Sequence, residues 1–352
     1  MCSLVVNPGA QVVGTRAPVQ RRPAGLAGPD ALAGLAHVRE SVVPVAPFRL
    51  PWAPPDGVGR RHAGVLERIV CVDGDIALLR AARPQADGPV VMGSWAPTEE
   101  LAARTLARWR QSLGVDVDHR PFLDAAWNDP LLGPLVRRRP WLRPSVGYRA
   151  QDALIAAITE QLIEYVEALR IQRGLVRFAG VQCERTGLRD FPTPQAILDL
   201  APAQIESLGL SPRRTMLMRQ VCRLLVRGLD LDDADPAVRE ENWRRLRAIP
   251  GLGAWTLSVM ALRGQGYPDA SPSGDLGLLK SVGALIHEGV VTDLSPAPVG
   301  NFDHRPQNDR AAAPPERDRR GRMPLATEQQ VHELVSRYAP WRGYAAWHLF
   351  MA

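Results

Sequence analysis

The sequence predicts an α+β protein, a small antiparallel-sheet domain followed by a larger all-helical domain. Three observations lead there. From Gly64 to about Trp95 the pattern is β-like, with Asp73-Gly74 set between the apolar runs Val70-Cys71-Val72 and Ile76-Ala77-Leu78-Leu79, a strong short hairpin signal. From about residue 120 onward, apolar residues recur at three- and four-residue spacings between Pro and Gly breakers, the period of helices. The 352 residues suffice for two domains, and a composition of 45% hydrophobic and 23% charged residues is that of a globular protein.

In chain order, residues 1–41 are rich in Pro, Gly, Ala and Arg without periodicity and are expected to be a disordered leader. Residues 42–112 form the sheet domain, which ends in a helix that carries Leu101, Leu106, Trp109 and Leu113 behind a Thr98 N-cap. Residues 113–287 and 327–352 form the helical domain. Leu154, Ile158, Leu162, Tyr165 and Leu169 make one apolar stripe. Leu217, Val221, Leu224 and Leu225 make another, with Arg213, Arg214, Arg219, Arg223 and Arg227 among its polar positions. Residues 288–326 hold Pro-rich pieces and the charged run Glu316-Arg317-Asp318-Arg319-Arg320, and read as a disordered insertion. Thr327-Glu328-Gln329-Gln330 is a capping-box pattern that opens a helix.

Several function classes are disfavoured. No apolar run approaches the roughly 18–20 residues of a membrane helix, and the first residues are too short an apolar stretch for a signal peptide. A cytoplasmic protein is expected. Cys2, Cys71, Cys183 and Cys222 lie far apart with no CxxC pair, so free thiols are expected and neither zinc nor an iron–sulfur cluster. The net charge of +6 weakly favours an anionic partner. Lys280 is the only lysine among 43 basic residues, so chemistry that needs a side-chain amine has one candidate.

The informative segment is Leu246-Arg247-Ala248-Ile249-Pro250-Gly251-Leu252-Gly253-Ala254-Trp255-Thr256. One helix ends at Pro250, and a second is expected from Ala254 to Arg263. The glycines let backbone approach a phosphate at the new helix N-terminus. Gly251-x-Gly253 alone is equally an ordinary helix–turn–helix connection. Beyond the second helix the chain reads Tyr267-Pro268-Asp269-Ala270-Ser271-Pro272-Ser273-Gly274-Asp275-Leu276-Gly277-Leu278, a Gly/Pro loop that ends in an aspartate just before another helix. By itself that aspartate reads as an N-cap.

Hairpin, helix, loop and aspartate in this order resemble the helix-hairpin-helix (HhH-GPD) DNA glycosylases, in particular the branch of 3-methyladenine DNA glycosylase II. Phe191-Pro192-Thr193-Pro194, Leu208-Gly209-Leu210-Ser211 and the stretch Ala339-Pro340-Trp341-Arg342-Gly343-Tyr344-Ala345-Ala346-Trp347-His348-Leu349 match that branch in its order. The similarity covers roughly residues 113–287 and 327–352. The resemblance implies base excision by a monomer on double-stranded DNA that contains damaged bases, in bacteria at the nucleoid. Asp275 would stabilise the positive charge that develops on the deoxyribose. Trp255, Val259 and Phe350 would line the pocket for a flipped base, with Val259 and Phe350 departing from the aromatic residue and the Trp of relatives. Trp341 and Trp347 read as core.

Gly251, Gly253, Ala254 and Thr256 would meet the DNA backbone. Gln161 and Leu162 match the segment that fills the gap left by the extruded nucleotide, although the apolar stripe favours a core position for Leu162. Glu160 and Glu164 depart from the family there. Bifunctional relatives carry a lysine where Trp255 stands, so hydrolysis without lyase activity is implied. No catalytic cofactor is expected. An alkali cation on the carbonyls of Arg247, Ile249 and Leu252 belongs to the resemblance. Two alternatives stay open: a catalytically degenerate DNA-binding or damage-recognition protein, and a protein-interaction module. The preferred lesion is not legible.

Overall fold

The computed structural model describes residues 28–233, 235–295 and 325–352. In chain order α1 (Pro29–Leu32), β1 (Ala36–Val42), β2 (Gly59–His62), β3 (Val65–Val72), β4 (Asp75–Ala82), β5 (Val90–Ala96) and α2 (Glu99–Leu113) come first. After them come α3 (Arg120–Ala126), α4 (Gly133–Arg138), α5 (Ala150–Glu160), α6 (Tyr165–Ala179), α7 (Pro194–Asp199), α8 (Pro202–Glu206), α9 (Pro212–Val226) and α10 (Pro236–Arg247). The last are α11 (Ala254–Arg263), α12 (Leu276–His287), α13 (Glu328–Ser336) and α14 (Arg342–Phe350). The expected antiparallel sheet and helical region are both present. Among the described residues, no helix is long and apolar enough to cross a membrane.

The chain divides into two compact units. One joins the residues up to Asp118 with Ser145–Leu252, and the other joins His119–Pro144 with Gly253–Ala352. This differs from the expected cut at residues 112 and 113, because α5–α10 belong with the sheet rather than with the remaining helices.

In the first unit the five strands run in the order β1-β5-β4-β3-β2, all antiparallel. The Asp73-Gly74 turn closes β3 on β4 with Val72 opposite Asp75, both turn residues having positive φ (53° and 90°), as a type I′ hairpin requires. Leu101, Leu106 and Trp109 of α2 share a core with Leu66, Val70, Leu79 and Met92 on one face of the sheet. On the other face Ile69, Ile76 and Leu78 pack with Cys183 and Leu188. Cover on both sides explains why β3 and β4 read as continuous apolar runs instead of alternating ones. Thr98 caps α2 as its sequence predicts, accepting from the Leu101 amide at 3.2 Å.

Residues 28–41, expected within the leader, instead carry α1 and most of β1. The strand pairs with β5 along its whole length, so the ladder rather than its own composition orders it. Residues 1–27 lie outside the described residues, as do residues 296–324 of the expected insertion. Its near edges, Val291 and Ala326, are buried in the second unit's core. Cys183 and Cys222 are buried free thiols and Cys71 is half-buried, while Cys2 lies outside the described residues.

A buried carboxylate ties sheet to helices within the first unit. Asp190 is fully buried and accepts from the Cys71 amide (2.9 Å), the Phe191 amide (2.8 Å) and the guanidinium of Arg149 (2.9 Å), with Arg68 at 3.4 Å. Cys71 and Arg68 belong to β3 and Arg149 is the N-cap of α5, so three segments meet on one side chain.

The second unit closes around Phe122, Leu132, Leu278, Val282, Leu334 and Leu349. Within this core lies His348 on α14. Its Nε2 donates to the Leu142 carbonyl at 3.1 Å, while its Nδ1 is buried with no hydrogen-bond partner. Burial, helped by Arg139 and His119 against the pull of the Leu142 carbonyl, lowers its pKa to about 4.

These buried groups make two predictions. Asp190→Ala leaves two guanidinium groups facing an apolar methyl and lowers stability by about 3–5 kcal/mol in urea unfolding; a change under about 1 kcal/mol would refute the keystone role. The lowered His348 pKa gives stability that is complete above the unfolded value near 6.5 and is lost as pH falls toward 4. Thermal melts across that window should show the loss in the native protein and a reduced slope in His348→Gln.

Candidate active site

Pro250 and Gly251 occupy the two central positions of a turn in which the Leu252 amide donates to the Ile249 carbonyl at 3.1 Å. Gly251 has φ +98°, so this is a type II turn that needs glycine at its third position. Gly253 is different. Its φ is −79°, and a Cβ placed on it would meet nothing within 4 Å, so neither backbone nor packing demands a glycine there. Gly253 is the N-cap of α11 and offers no side chain to cap the helix; the first helical bond runs from the Leu257 amide to the Gly253 carbonyl at 3.2 Å. The amides of Ala254 and Trp255 thus precede the helical ladder at its electropositive end.

Gly251, Gly253 and Ala254 are exposed; Thr256, expected among the DNA contacts, is buried, so only its backbone is at issue. The cation donors that the resemblance implies, the carbonyls of Arg247, Ile249 and Leu252, lie on the end of α10 and on this turn. Ile249 retains a second lone pair beyond its turn bond, and a set of neutral oxygens suits a monovalent ion that would stiffen the turn.

Asp275 is the N-cap of α12. Its Oδ1 accepts from the amides of Gly277 (2.9 Å) and Leu278 (3.2 Å), and its Oδ2 accepts from the indole Nε1–H of Trp255 at 3.2 Å. The cap predicted from the aspartate's position is present, and the indole adds a third donor to it. Three donors fix the carboxylate, and the positive end of the α12 dipole favours negative charge there. The loop before it is pinned from α14. Arg342 pairs with Asp269 (Nε to Oδ1 2.8 Å) and holds that carboxyl below its usual range, and the Gly343 amide donates to the Pro268 carbonyl at 2.8 Å. A Cβ on Gly343 would collide with the Ala270 and Pro268 carbonyls, which gives Arg342-Gly343 its physical meaning.

Phe350 is 44% exposed, and its ring covers Gly277 so closely that a Cβ on that glycine would overlap it. The same Cβ would stand 3.2 Å from Asp275 Oδ1, so ring, glycine and carboxylate are neighbours. Trp347 pairs with Phe350, ring centroids 5.8 Å apart. Trp341 packs on the core as expected. Of the three pocket candidates, half-buried Trp255 and exposed Phe350 adjoin Asp275 through these contacts. Val259 is 3% exposed, a core position on α11 with little surface to offer a ligand. Lys280 is exposed on α12.

Gln161 and Leu162 belong to the first unit. The expectation that Leu162 sits on a continuous apolar stripe is corrected: α5 stops at Glu160, α6 starts at Tyr165, and Leu162 lies between them with φ +57° and its side chain wholly exposed. Leu154 and Ile158 are buried, whereas Tyr165 is 53% exposed, so the stripe's period runs across a break that spacing alone does not reveal. Gln161 Nε2 donates to the Gly251 carbonyl at 3.0 Å, which joins this loop to the hairpin turn. Glu160 accepts from Gln172 Nε2 at 3.2 Å, which gives one of the two unexpected acids a structural partner. Sequence reasoning missed the contact of Gly277, for which a glycine in the first turn of a helix was the available signal.

Two helices joined by a glycine-bearing turn, with a capped carboxylate beside the indole that follows the turn, make up the candidate site. Residues 148–287 match the family model described as HhH-GPD superfamily base excision DNA repair protein. Over that segment the chain is similar to the HhH-GPD superfamily, and it resembles 3-methyladenine DNA glycosylase II.

Over 179 residues it is 30% identical to a probable bifunctional transcriptional activator/DNA repair enzyme AlkA of Mycobacterium tuberculosis, covering 49% of this chain and 34% of that protein. Over 220 residues it is 24% identical to DNA-3-methyladenine glycosylase 2 of Escherichia coli, covering 62% and 63%. Thus the chain spans about a third of the first relative and under two thirds of the second.

Two solved structures share the fold. The 3-methyladenine DNA glycosylase of Archaeoglobus fulgidus matches with TM-score 0.61 at 19% identity over 89% of this chain and 97% of that one. The 8-oxoguanine glycosylase/lyase of Clostridium acetobutylicum on DNA matches with TM-score 0.56 at 14% identity, over 89% and 96%.

The Gly277–Phe350 contact predicts a reversal of sign. With Phe350 present, Gly277→Ala forces the ring off α12 and destabilises the protein. In a Phe350→Ala background the same substitution stabilises it by up to about 1 kcal/mol through helix propensity. Urea unfolding of the four proteins measures this, and the same sign in both backgrounds would refute the contact.

Proposed function

We propose that the chain is a monofunctional DNA glycosylase. It extrudes a damaged, alkylated purine nucleotide from duplex DNA and hydrolyses its N-glycosidic bond. The observation that carries this reading is the Asp275 carboxylate, held by the Gly277 and Leu278 amides and the Trp255 indole. As the base departs, the deoxyribose gains oxocarbenium character, and a fixed negative group stabilises that charge without reorganising. The carboxylate has about four acceptor sites and three are engaged, which leaves capacity toward the sugar or a water.

The remaining machinery fits the same reading. A base within the helix is out of reach, so extrusion precedes chemistry. Leu162 projects fully from its loop and fills the vacated stack. Gly251, Gly253 and Ala254 bring backbone amides to a phosphate, a contact that fixes register without reading sequence. Trp255 and Phe350 wall the extruded base, and buried Val259 backs the helix behind them. Schiff-base chemistry has no amine in the hairpin, where Trp255 stands, and the only lysine side chain is exposed Lys280. The working partner is double-stranded DNA bound by a monomer in the cytoplasm, at the nucleoid.

Base release from alkylated duplex DNA, read by chromatography, tests the proposal against the degenerate-binder alternative. Asp275→Asn should slow release by about 10²–10³-fold. It should keep a salt-dependent DNA affinity, since the phosphate contacts remain. Release undiminished in Asp275→Asn, or absent in the native protein, would sink the catalytic assignment. Borohydride should trap no covalent complex; a trapped adduct would overturn simple hydrolysis.

A further inference from the structure

The wedge loop poses a physical problem. Leu162 holds φ +57° with its side chain wholly exposed, so it gains no burial from that conformation. For a residue with a Cβ the left-handed region is unfavourable, and such a geometry persists only where its surroundings over-determine it.

The surroundings converge on one side chain. Arg214 lies on the first turn of α9, distant in sequence from the loop. Its Nη1 donates to the carbonyl of Gln161 at 2.8 Å and to that of Thr159 at 3.2 Å, and its Nε donates to Ser211 Oγ at 3.2 Å. The two carbonyls flank Glu160, where α5 ends, and the nearer immediately precedes Leu162. From its other side Gln161 reaches the Gly251 carbonyl. Gln172 fixes the helix end through Thr159 Oγ1 at 2.9 Å. Burial lowers the Arg214 pKa, opposed by Glu167, so a partly desolvated cation is held here by carbonyl dipoles.

We propose that Arg214 is a positioning residue for base extrusion: it clamps the last carbonyls of α5 so that Leu162 is presented to the duplex. The proposal rests on the wedge role given to Leu162 under the proposed function. Arginine suits the task because one planar guanidinium satisfies several acceptors in a fixed fork, which an ammonium group does not. The clamp and the Gln161 bond also link the wedge to the phosphate-gripping turn, so one cannot shift without loading the other.

The test uses the whole chain and two substrates, a lesion paired within a duplex and the same lesion unpaired in a bulge, with 2-aminopurine beside it to report unstacking. Arg214→Met should slow release from the paired lesion on the order of tenfold. The bulged lesion should be processed at the native rate, because it needs no wedge. The 2-aminopurine signal on the paired duplex should fall with the rate. Arg214→Lys should lie between. In a Leu162→Ala background Arg214→Met should add nothing, since the wedge it positions is gone.

Equal slowing on both substrates, or full additivity with Leu162→Ala, would overturn the proposal and leave Arg214 a general stabiliser. A native protein that releases no base yet unstacks 2-aminopurine in an Arg214-dependent way would sink the enzyme reading and keep this one.

Discussion

The hydrogen bond from the Trp255 indole to Asp275 is the constraint on which the rest of the candidate site in the second unit depends. Two amides at a helix start hold one carboxylate oxygen, as in any capped helix. The indole takes the other, so the direction of the carboxyl group is set by two helices at once, α11 through Trp255 and α12 through its first turn. The Arg342–Asp269 pair and the Gly343 close approach fix the loop between those helices, so the C-terminal motif supports the same side chain from behind.

Most of this was legible where the local signal and the structural demand coincide. The Asp73-Gly74 hairpin, the Thr98 and Thr327 caps and the bounds of α11 arise from residue chemistry within a few positions. Leu162 was misleading because periodicity measures spacing and not continuity; a loop of four residues returned the chain to α6 in nearly the phase of α5. The strand β1 was illegible because its order comes from pairing with β5, some fifty residues away. The grouping of α5–α10 with the sheet was not legible because the contacts that join them, those of Asp190 among them, link residues scattered through the sequence.

The arginine content has a structural use beyond charge. Arg214 clamps the end of α5, Arg219 donates to the carbonyls of Leu198 and Leu200 where α7 ends, and Arg108 reaches the Tyr148 carbonyl ahead of α5. Arg214 and Arg219 satisfy carbonyls left open at helix ends, and all three bring a planar, multiply donating group to the backbone. In this chain part of the positive balance is therefore internal scaffolding, and the net charge overstates what is available to a polyanion.

Gly253 separates two pressures that usually act together. Its neighbour Gly251 is held by a backbone angle that other residues resist, so replacement there would register in folding. Gly253 sits in ordinary backbone geometry with open space where a side chain would stand. A larger residue at that point would leave the fold intact. A substitution at this position would therefore escape any screen that reads only folding or stability.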